Sequence, residues 1–396
     1  MAYVLSFLEK IILFSRVAFL RAIMPINILL ILALSEDKNN IDNFSLFVAL
    51  VQIISNIDFG INAQLLSTRR IGDDSKIFVF FKYYLRKYAL WKFLFASNAS
   101  VFLFLFIDES KYALITLMAT LGADFFIFFN LTISGAISEG RNKLAFSLIF
   151  LFFTMEFLLF FVNAFLGSDF WPSDMHGFYP LLLFLLSISI AVIIVWITFF
   201  ESKDLTDENY SLNEDSFRLQ ISQITSSIIL NKDYILLSLF SLTSQAVAFA
   251  MIARIMLIPI QLNSVFISRI WVDIANNGIF LSKFRIDLRN IIITTAVLGG
   301  GVSMICVYFY GVKYLPLILI LLCFIICNAC SGVSSAYCTV DRLAIPKVSW
   351  YINSTIMVII CSVIIYYINI WELSLIISCV YFIFLSKRSL RDISWN

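Results

Sequence analysis

Residues 290–336 read NIIITTAVLGGGVSMICVYFYGVKYLPLILILLCFIICNACSGVSSA, two apolar runs separated at Gly311-Val312-Lys313. Lys313 is the only charged residue in the stretch. A helix crossing a bilayer needs about 20 mostly apolar residues, because backbone in hydrocarbon must satisfy its hydrogen bonds within the helix. Each run has that length, and so short a connector turns the second helix back antiparallel to the first. The stretch reads as a transmembrane hairpin, and the rest of the chain repeats its pattern.

The composition agrees. Of 396 residues, 61% are hydrophobic and 14% charged, against about 45–50% and about 25% in ordinary soluble domains. Forty-one phenylalanines and a mean hydropathy of +0.94 leave too little polar surface to cover a water-soluble particle. Apolar runs place spans at 11–34, 44–66, 88–107, 112–134, 144–166, 180–200, 219–241, 245–268, 290–310, 314–336, 347–368 and 371–386. The expected fold is an all-α integral membrane protein of about 12 transmembrane helices. A six-helix lobe over 1–200 and another over 217–396 surround a central cavity. The acidic stretch 201–216 (Glu201, Asp204, Asp207, Glu208, Glu214, Asp215) joins them as a cytoplasmic linker. Two consecutive six-span units share one orientation, as parallel repeats do.

Orientation follows from the bases. With an inside N-terminus, twenty-one of the 28 Lys and Arg residues, from Lys10 to Arg391, fall in inside loops. Lys232 is counted among them. Lys38, Lys111 and Lys313 fall outside, and Arg16, Arg21, Arg254 and Arg269 within spans. That asymmetry puts both termini in the cytoplasm. Lys76–Lys92 interleaves bases with Phe80, Phe81, Tyr83, Tyr84, Tyr88 and Trp91. It reads as an interfacial helix drawn to anionic lipid, and not as a nucleic-acid site. Residues 217–241 are the most polar of the spans, with Arg218, Gln220, Ser222, Gln223, Thr225, Asn231, Lys232 and Asp233. They are expected to span with a polar face on a water-filled cavity, the alternative being an amphipathic helix at the inner interface.

Several chemistries drop out. The single histidine, His176, excludes sites built from several imidazoles. The seven cysteines lie between Cys306 and Cys379 inside apolar runs, where they read as small structural hydrophobes. Cys323, Cys327 and Cys330 share one helical face, but no histidine or carboxylate accompanies them, so no metal site is assigned. Arg16 and Arg21 interrupt the first apolar run, and no small-residue cleavage site follows, so no secretory signal is read there. No cofactor and no catalytic constellation is expected.

Polar groups inside spans carry the functional expectation, since an ionised side chain at the bilayer centre costs about 2.5–3.5 kcal/mol on insertion scales. Span 1 holds Arg16, Arg21 and Asn27, with Pro25 between them. Span 2 carries a stripe of Gln52, Ser55, Asn56, Asp58 and Asn62. Span 8 repeats this with Arg254, Gln261 and Ser268 at seven-residue intervals around Pro259. Asp124 and Glu156 lie in spans 4 and 5. Arg16, Arg21, Asn27, Gln52, Asn56, Arg254 and Gln261 are the candidate substrate-binding set. Asp58, Asp124 and Glu156 are candidate coupling-ion sites or counter-ions. Arg269 and Asp233 are read as snorkelling to an interface. A basin rich in guanidinium suits an anionic cargo, phosphate best of all.

Asp58-Phe59-Gly60 followed by Arg69-Arg70, with the twelve-span plan, resembles the polysaccharide repeat-unit (O-antigen) flippases of the multidrug/oligosaccharidyl-lipid/polysaccharide exporter superfamily. Phe14-Ser15-Arg16-Val17 followed by Arg21 is similar to the first helix of lipid II flippases. The resemblance implies that Arg16, Arg21 and Arg254 line a cationic cavity for a lipid pyrophosphate. The implied activity is translocation of an undecaprenyl-pyrophosphate-linked oligosaccharide from the cytoplasmic to the periplasmic leaflet of a bacterial inner membrane, by alternating access. Implied partners are that lipid-linked oligosaccharide, membrane lipids, and the polysaccharide polymerase and chain-length machinery. Two alternatives stand beside it. An ion-coupled multidrug exporter of the same superfamily would prefer an acidic, aromatic cavity for cationic drugs. An O-antigen polymerase would need a large arginine-bearing outside loop, whereas the longest one here, Gly167–Pro180, has 14 residues and no base.

Overall fold

The computed structural model describes residues 38–55, 110–138, 179–199, 214–240, 243–256, 280–340, 347–368 and 370–391, with single residues and short pieces within 94–98, 147–161 and 258–274. All regular structure among them is helical. In chain order the helices are α1 (Lys38–Ser55), α2 (Ser110–Ser138), α3 (Tyr179–Phe199), α4 (Glu214–Leu239), α5 (Thr243–Met256), α6 (Leu281–Tyr310), α7 (Leu315–Val340), α8 (Val348–Tyr367) and α9 (Glu372–Arg391). Among the described residues, five segments are long and apolar enough to cross a membrane: Lys111–Phe129, Leu281–Tyr310, Val312–Cys338, Val348–Tyr367 and Glu372–Arg391. The chain divides into two compact units, and the division falls inside α4, between Ser227 and Ile228.

In the first unit α1, α2 and α3 pack on one another. Phe47, Ala119, Ala123, Ile127, Phe128, Leu181 and Ile188 are fully buried between them. Phe47 and Phe152 each meet the ring of Phe184 edge-on, with centroids 5.4 and 6.0 Å apart, a favoured aromatic geometry. Gly122 makes the close approach possible, since a Cβ there would stand 3.0 Å from Leu185 Cδ2. The hydroxyls of Thr116, Thr120, Thr132 and Ser187 donate to carbonyls one turn back on their own helices. These polar groups therefore sit in apolar surroundings without an orphan donor.

The second unit holds α5 to α9, with α7 central between α6 and α9. Two of its helices, α6 and α8, turn large aliphatic side chains outward, unlike helices of a soluble protein, whereas α7 and α9 bury Leu321, Phe324, Phe382 and Leu385. On α6 the buried positions are Phe284, Ile291, Thr295, Gly299, Ser303 and Cys306. Ile286, Ile293, Val297, Met304 and Tyr308 point outward, Met304 at 77% and Tyr308 at 84% exposure. On α8 the buried set is Tyr351, Thr355, Val358, Ser362 and Tyr366, and the exposed set Ile352, Ile356, Met357, Ile360 and Ile364. Small and hydroxylated residues inside with large aliphatics outside is the pattern of helices solvated by lipid tails. Gly299 lets α7 approach, because a Cβ there would lie 2.5 Å from Leu322 Cδ1.

The hairpin at 290–336 forms as expected. Gly311 takes a φ of +88°, a conformation glycine adopts without strain, and a 3-10 turn over Val312–Tyr314 leads into α7. The start of α6 differs: the helix begins at Leu281, nine residues before the apolar run. Lys283, Arg285 and Arg289 are thus helical and not loop residues. Hydropathy marks where a helix meets lipid, while the helix itself continues into the polar interface.

Candidate functional site

Most of the expected binding set, Arg16, Arg21, Asn27, Asn56 and Gln261, lies outside the described residues, as do the candidate ion-coupling residues Asp58 and Glu156 and the base Arg269. Arg254 lies on α5, and its side chain is likewise outside what is described. Gln52 and Asp124 are described, and both are half-buried. Gln52 belongs to a polar seam within the first unit. Its carbonyl accepts from the hydroxyls of Ser55, at 3.1 Å, and of Ser227 on α4, at 3.2 Å. Gln220, one turn and more before Ser227, is buried there with its side-chain oxygen unpartnered.

Residues 217–241 form one continuous helix as far as Leu239, and most of their polar side chains are buried, Gln223 being exposed and Arg218 half-buried. Gln220, Ser222, Thr225, Ser227, Asn231, Lys232 and Asp233 are all buried. The expectation of a polar face on water is corrected for these seven: Ser227, Lys232 and Asp233 meet groups on other helices, and the Thr225 hydroxyl donates within its own helix. Two further assignments change. Asp233 does not snorkel: it is 1% exposed and bonded within the second unit. Nor is Lys232 a loop base; it lies within α4, seven residues before the helix ends, and is 3% exposed.

These two residues organise a buried polar site in the second unit. Neighbours on a helix point about 100° apart and do not ordinarily face each other. Here the lysine stem folds back so that Nζ lies 2.9 Å from both Asp233 Oδ1 and Oδ2. The ammonium also donates to the Ser374 hydroxyl at 2.5 Å and the Ser374 carbonyl at 3.2 Å. Three N–H donors thus find a carboxylate, a hydroxyl and a carbonyl. Asp233 in turn accepts from Ser374 Oγ at 2.6 Å and from the Tyr366 hydroxyl at 3.2 Å. The carboxylate lies against the first turn of α9, where the helix dipole favours an anion. The site therefore joins α4, the end of α8 and the start of α9.

The sequence holds a signal for this pair. Lys232-Asp233 is flanked by Ile228-Ile229-Leu230 and Tyr234-Ile235-Leu236, so two opposite charges interrupt an otherwise apolar helical stretch. Its partners gave none, since Ser374 and Tyr366 look like ordinary span-end residues. A second polar tie joins α6 to the segment after α5, where the Asn263 amide donates to Thr295 Oγ1 at 2.8 Å. Tyr337 of α7 donates to Asp287 of α6 at 2.8 Å. None of the seven cysteines is in a disulfide, and the described residues contain no cluster of potential metal ligands.

No protein-family model and no curated protein matches the chain by sequence. Solved structures do match it along nearly its whole length. One is a ligand complex of the MATE multidrug transporter DinF-BH, at a TM-score of 0.68 and 14% identity over 95% of this chain and 94% of that one. A MATE structure in the straight conformation aligns with a TM-score of 0.59 at 13% identity, over 95% and 96% of the two chains. An outward-facing multidrug resistance MATE family transporter of the MOP superfamily aligns with a TM-score of 0.55, again at 13% identity and 95% and 96% coverage. The chain has the all-α, multi-pass membrane fold of these transporters.

Proposed function

We propose that the chain is an exporter of the multidrug/oligosaccharidyl-lipid/polysaccharide superfamily that works by alternating access, and not an enzyme. The observation that carries this reading is the end-to-end match to MATE transporters over 95% of the chain. In this reading the lobes 1–200 and 217–396, joined by 201–216, rock about a cargo site while both termini stay in the cytoplasm.

The reading divides on cargo. The solved neighbours are multidrug transporters, one of them with a ligand bound, and they favour an ion-coupled exporter of small organic molecules. A lipid-linked oligosaccharide is favoured by a different observation, the arginines at positions 16, 21 and 254 inside spans. Guanidinium suits a pyrophosphate and repels cationic drugs. The fold match supports the multidrug cargo more directly; the charge of the spans supports the oligosaccharide. Deleting the gene separates them. Loss of surface polysaccharide, with undecaprenyl-linked repeat units trapped in the cytoplasmic leaflet, marks the flippase. Heightened sensitivity to a panel of cationic dyes, with surface polysaccharide intact, marks the drug exporter. Absence of both phenotypes overturns the exporter reading.

A further inference from the structure

The buried pair holds a cation in a shell built almost wholly of oxygen. Around Lys232 Nζ stand Asp233 Oδ1 and Oδ2 at 2.9 Å, Ser374 Oγ at 2.5 Å and Ser374 O at 3.2 Å. A carboxylate, a hydroxyl and a backbone carbonyl are the ligands that hard monovalent and divalent cations take. The carboxylate supplies one negative charge, matching a monovalent cation. Three of these oxygens belong to groups otherwise fixed in place. Asp233 is held by Tyr366 and Ser374, while the Ser374 carbonyl also accepts from Ser378 Oγ at 3.2 Å. Lys232, Asp233, Ser374 and Ser378 are all 3% exposed or less, so water does not compete for the shell.

We propose that this shell is a monovalent-cation site whose occupant is covalently tethered: the Lys232 ammonium fills the place that potassium, or a free alkylammonium ion, would take in its absence. The distances suit a cation of ammonium or potassium size better than the smaller sodium. The proposal goes beyond the exporter reading and does not depend on its cargo, because its readout is stability. In the native chain the site needs no added salt. Shortening the side chain in Lys232→Ala opens both the shell and the space of the stem, leaving Asp233 to recruit an ion from solution. Lys232→Met keeps an uncharged stem in that space and closes the site to ions.

The test is thermal unfolding of the purified full chain in nanodiscs, comparing choline chloride, sodium chloride, potassium chloride and methylammonium chloride at equal ionic strength. At a salt concentration well above the site's Kd, Lys232→Ala should gain about 2–5 °C in potassium or methylammonium over choline, with a smaller gain in sodium. The native protein, Lys232→Met and Lys232→Ala/Asp233→Asn should each respond by less than about 1 °C. No cation-specific gain in Lys232→Ala, or an equal gain in the double variant, overturns the proposal. So does failure of Lys232→Ala to accumulate in the membranes of cells whose cytoplasm is rich in potassium, since potassium should already occupy the site during folding.

Discussion

The start of α6 and the C-terminal part of α4 both set lysine or arginine close to an aspartate on a helix, yet they treat charge in opposite ways. On α6, Arg285 and Arg289 are exposed, and Lys283 half-buried, around Asp287. On α4, Lys232 and Asp233 are sealed from solvent and bonded to residues more than a hundred positions away in sequence. Charge type does not distinguish them. What does is whether other helices bring hydrogen-bonding groups to the charges before water or lipid headgroups can. At α6 Tyr337 of α7 meets Asp287, while Arg285 and Arg289 stay exposed, as bases that bias orientation do. At α4 the protein must solvate the pair itself, and Ser374 and Tyr366 are the groups that do so.

The difference predicts the largest effect. Removing one member of a buried, bonded ion pair leaves an uncompensated charge, which costs about 3–5 kcal/mol, while replacing both with apolar residues of similar size is often neutral. Lys232→Met and Asp233→Leu alone should each lower the unfolding free energy by about that much, measured by mixed-micelle denaturation. The double variant Lys232→Met/Asp233→Leu should recover most of the loss. Similar losses in the single and double variants would show that shape, and not charge compensation, governs the site.

The lipid-facing belt gives the next effect. Val297 is 69% exposed on α6, and in a water-soluble protein an aspartate at such a position would be nearly neutral. Inside a bilayer Val297→Asp should cost about 2.5–3.5 kcal/mol, read as the same loss of unfolding free energy in bicelles or as reduced membrane integration. An unchanged variant would remove α6 from the lipid boundary.

How much of this was legible follows the same division. The runs at 314–336, 347–368 and 371–386 lie within a few residues of α7, α8 and α9. Lipid acts on each helix locally, so a local count of apolar residues finds it. Positions such as Thr295, Gly299 and Ser303 are not legible as a buried stripe from hydropathy, because in a membrane the inward face is the less hydrophobic one. The Lys232–Asp233 site is less legible still. From the sequence the two charges can be read as snorkelling, and only the fold brings Ser374 and Tyr366 to them. Gln52 and Asp124 are found where their spans predict, on α1 and α2, while the arginine set of spans 1 and 8 remains a proposal.

A smaller effect separates two adjacent glycines on α6. A Cβ on Gly299 would press on Leu322 of α7, while one on Gly300 meets nothing within 4 Å. Gly299→Ala should therefore destabilise by about 1–2 kcal/mol, tempered because the obstructing atom is the end of a flexible side chain. Gly300→Ala should instead stabilise by up to about 1 kcal/mol through helix propensity. Chemical denaturation of the two variants side by side checks the contrast, and equal effects would mean α6 and α7 are not held at that spacing.

The smallest effect lies at the polar start of α6. Arg285 is exposed, and its charge is solvated whether or not a protein group meets it. Arg285→Ala should change the unfolding free energy by no more than about 0.5 kcal/mol, the usual range for surface substitutions. Orientation responds differently, because the bias of bases acts collectively over loops close to span ends. Exchanging Lys283, Arg285 and Arg289 together for glutamate should leave stability nearly as small a concern, yet raise the fraction of chains whose 311–314 turn becomes accessible from the cytoplasm, read by labelling a cysteine placed at Val312. At Lys232 a single base carries several kilocalories and no topological information; here three bases carry topology and almost no stability.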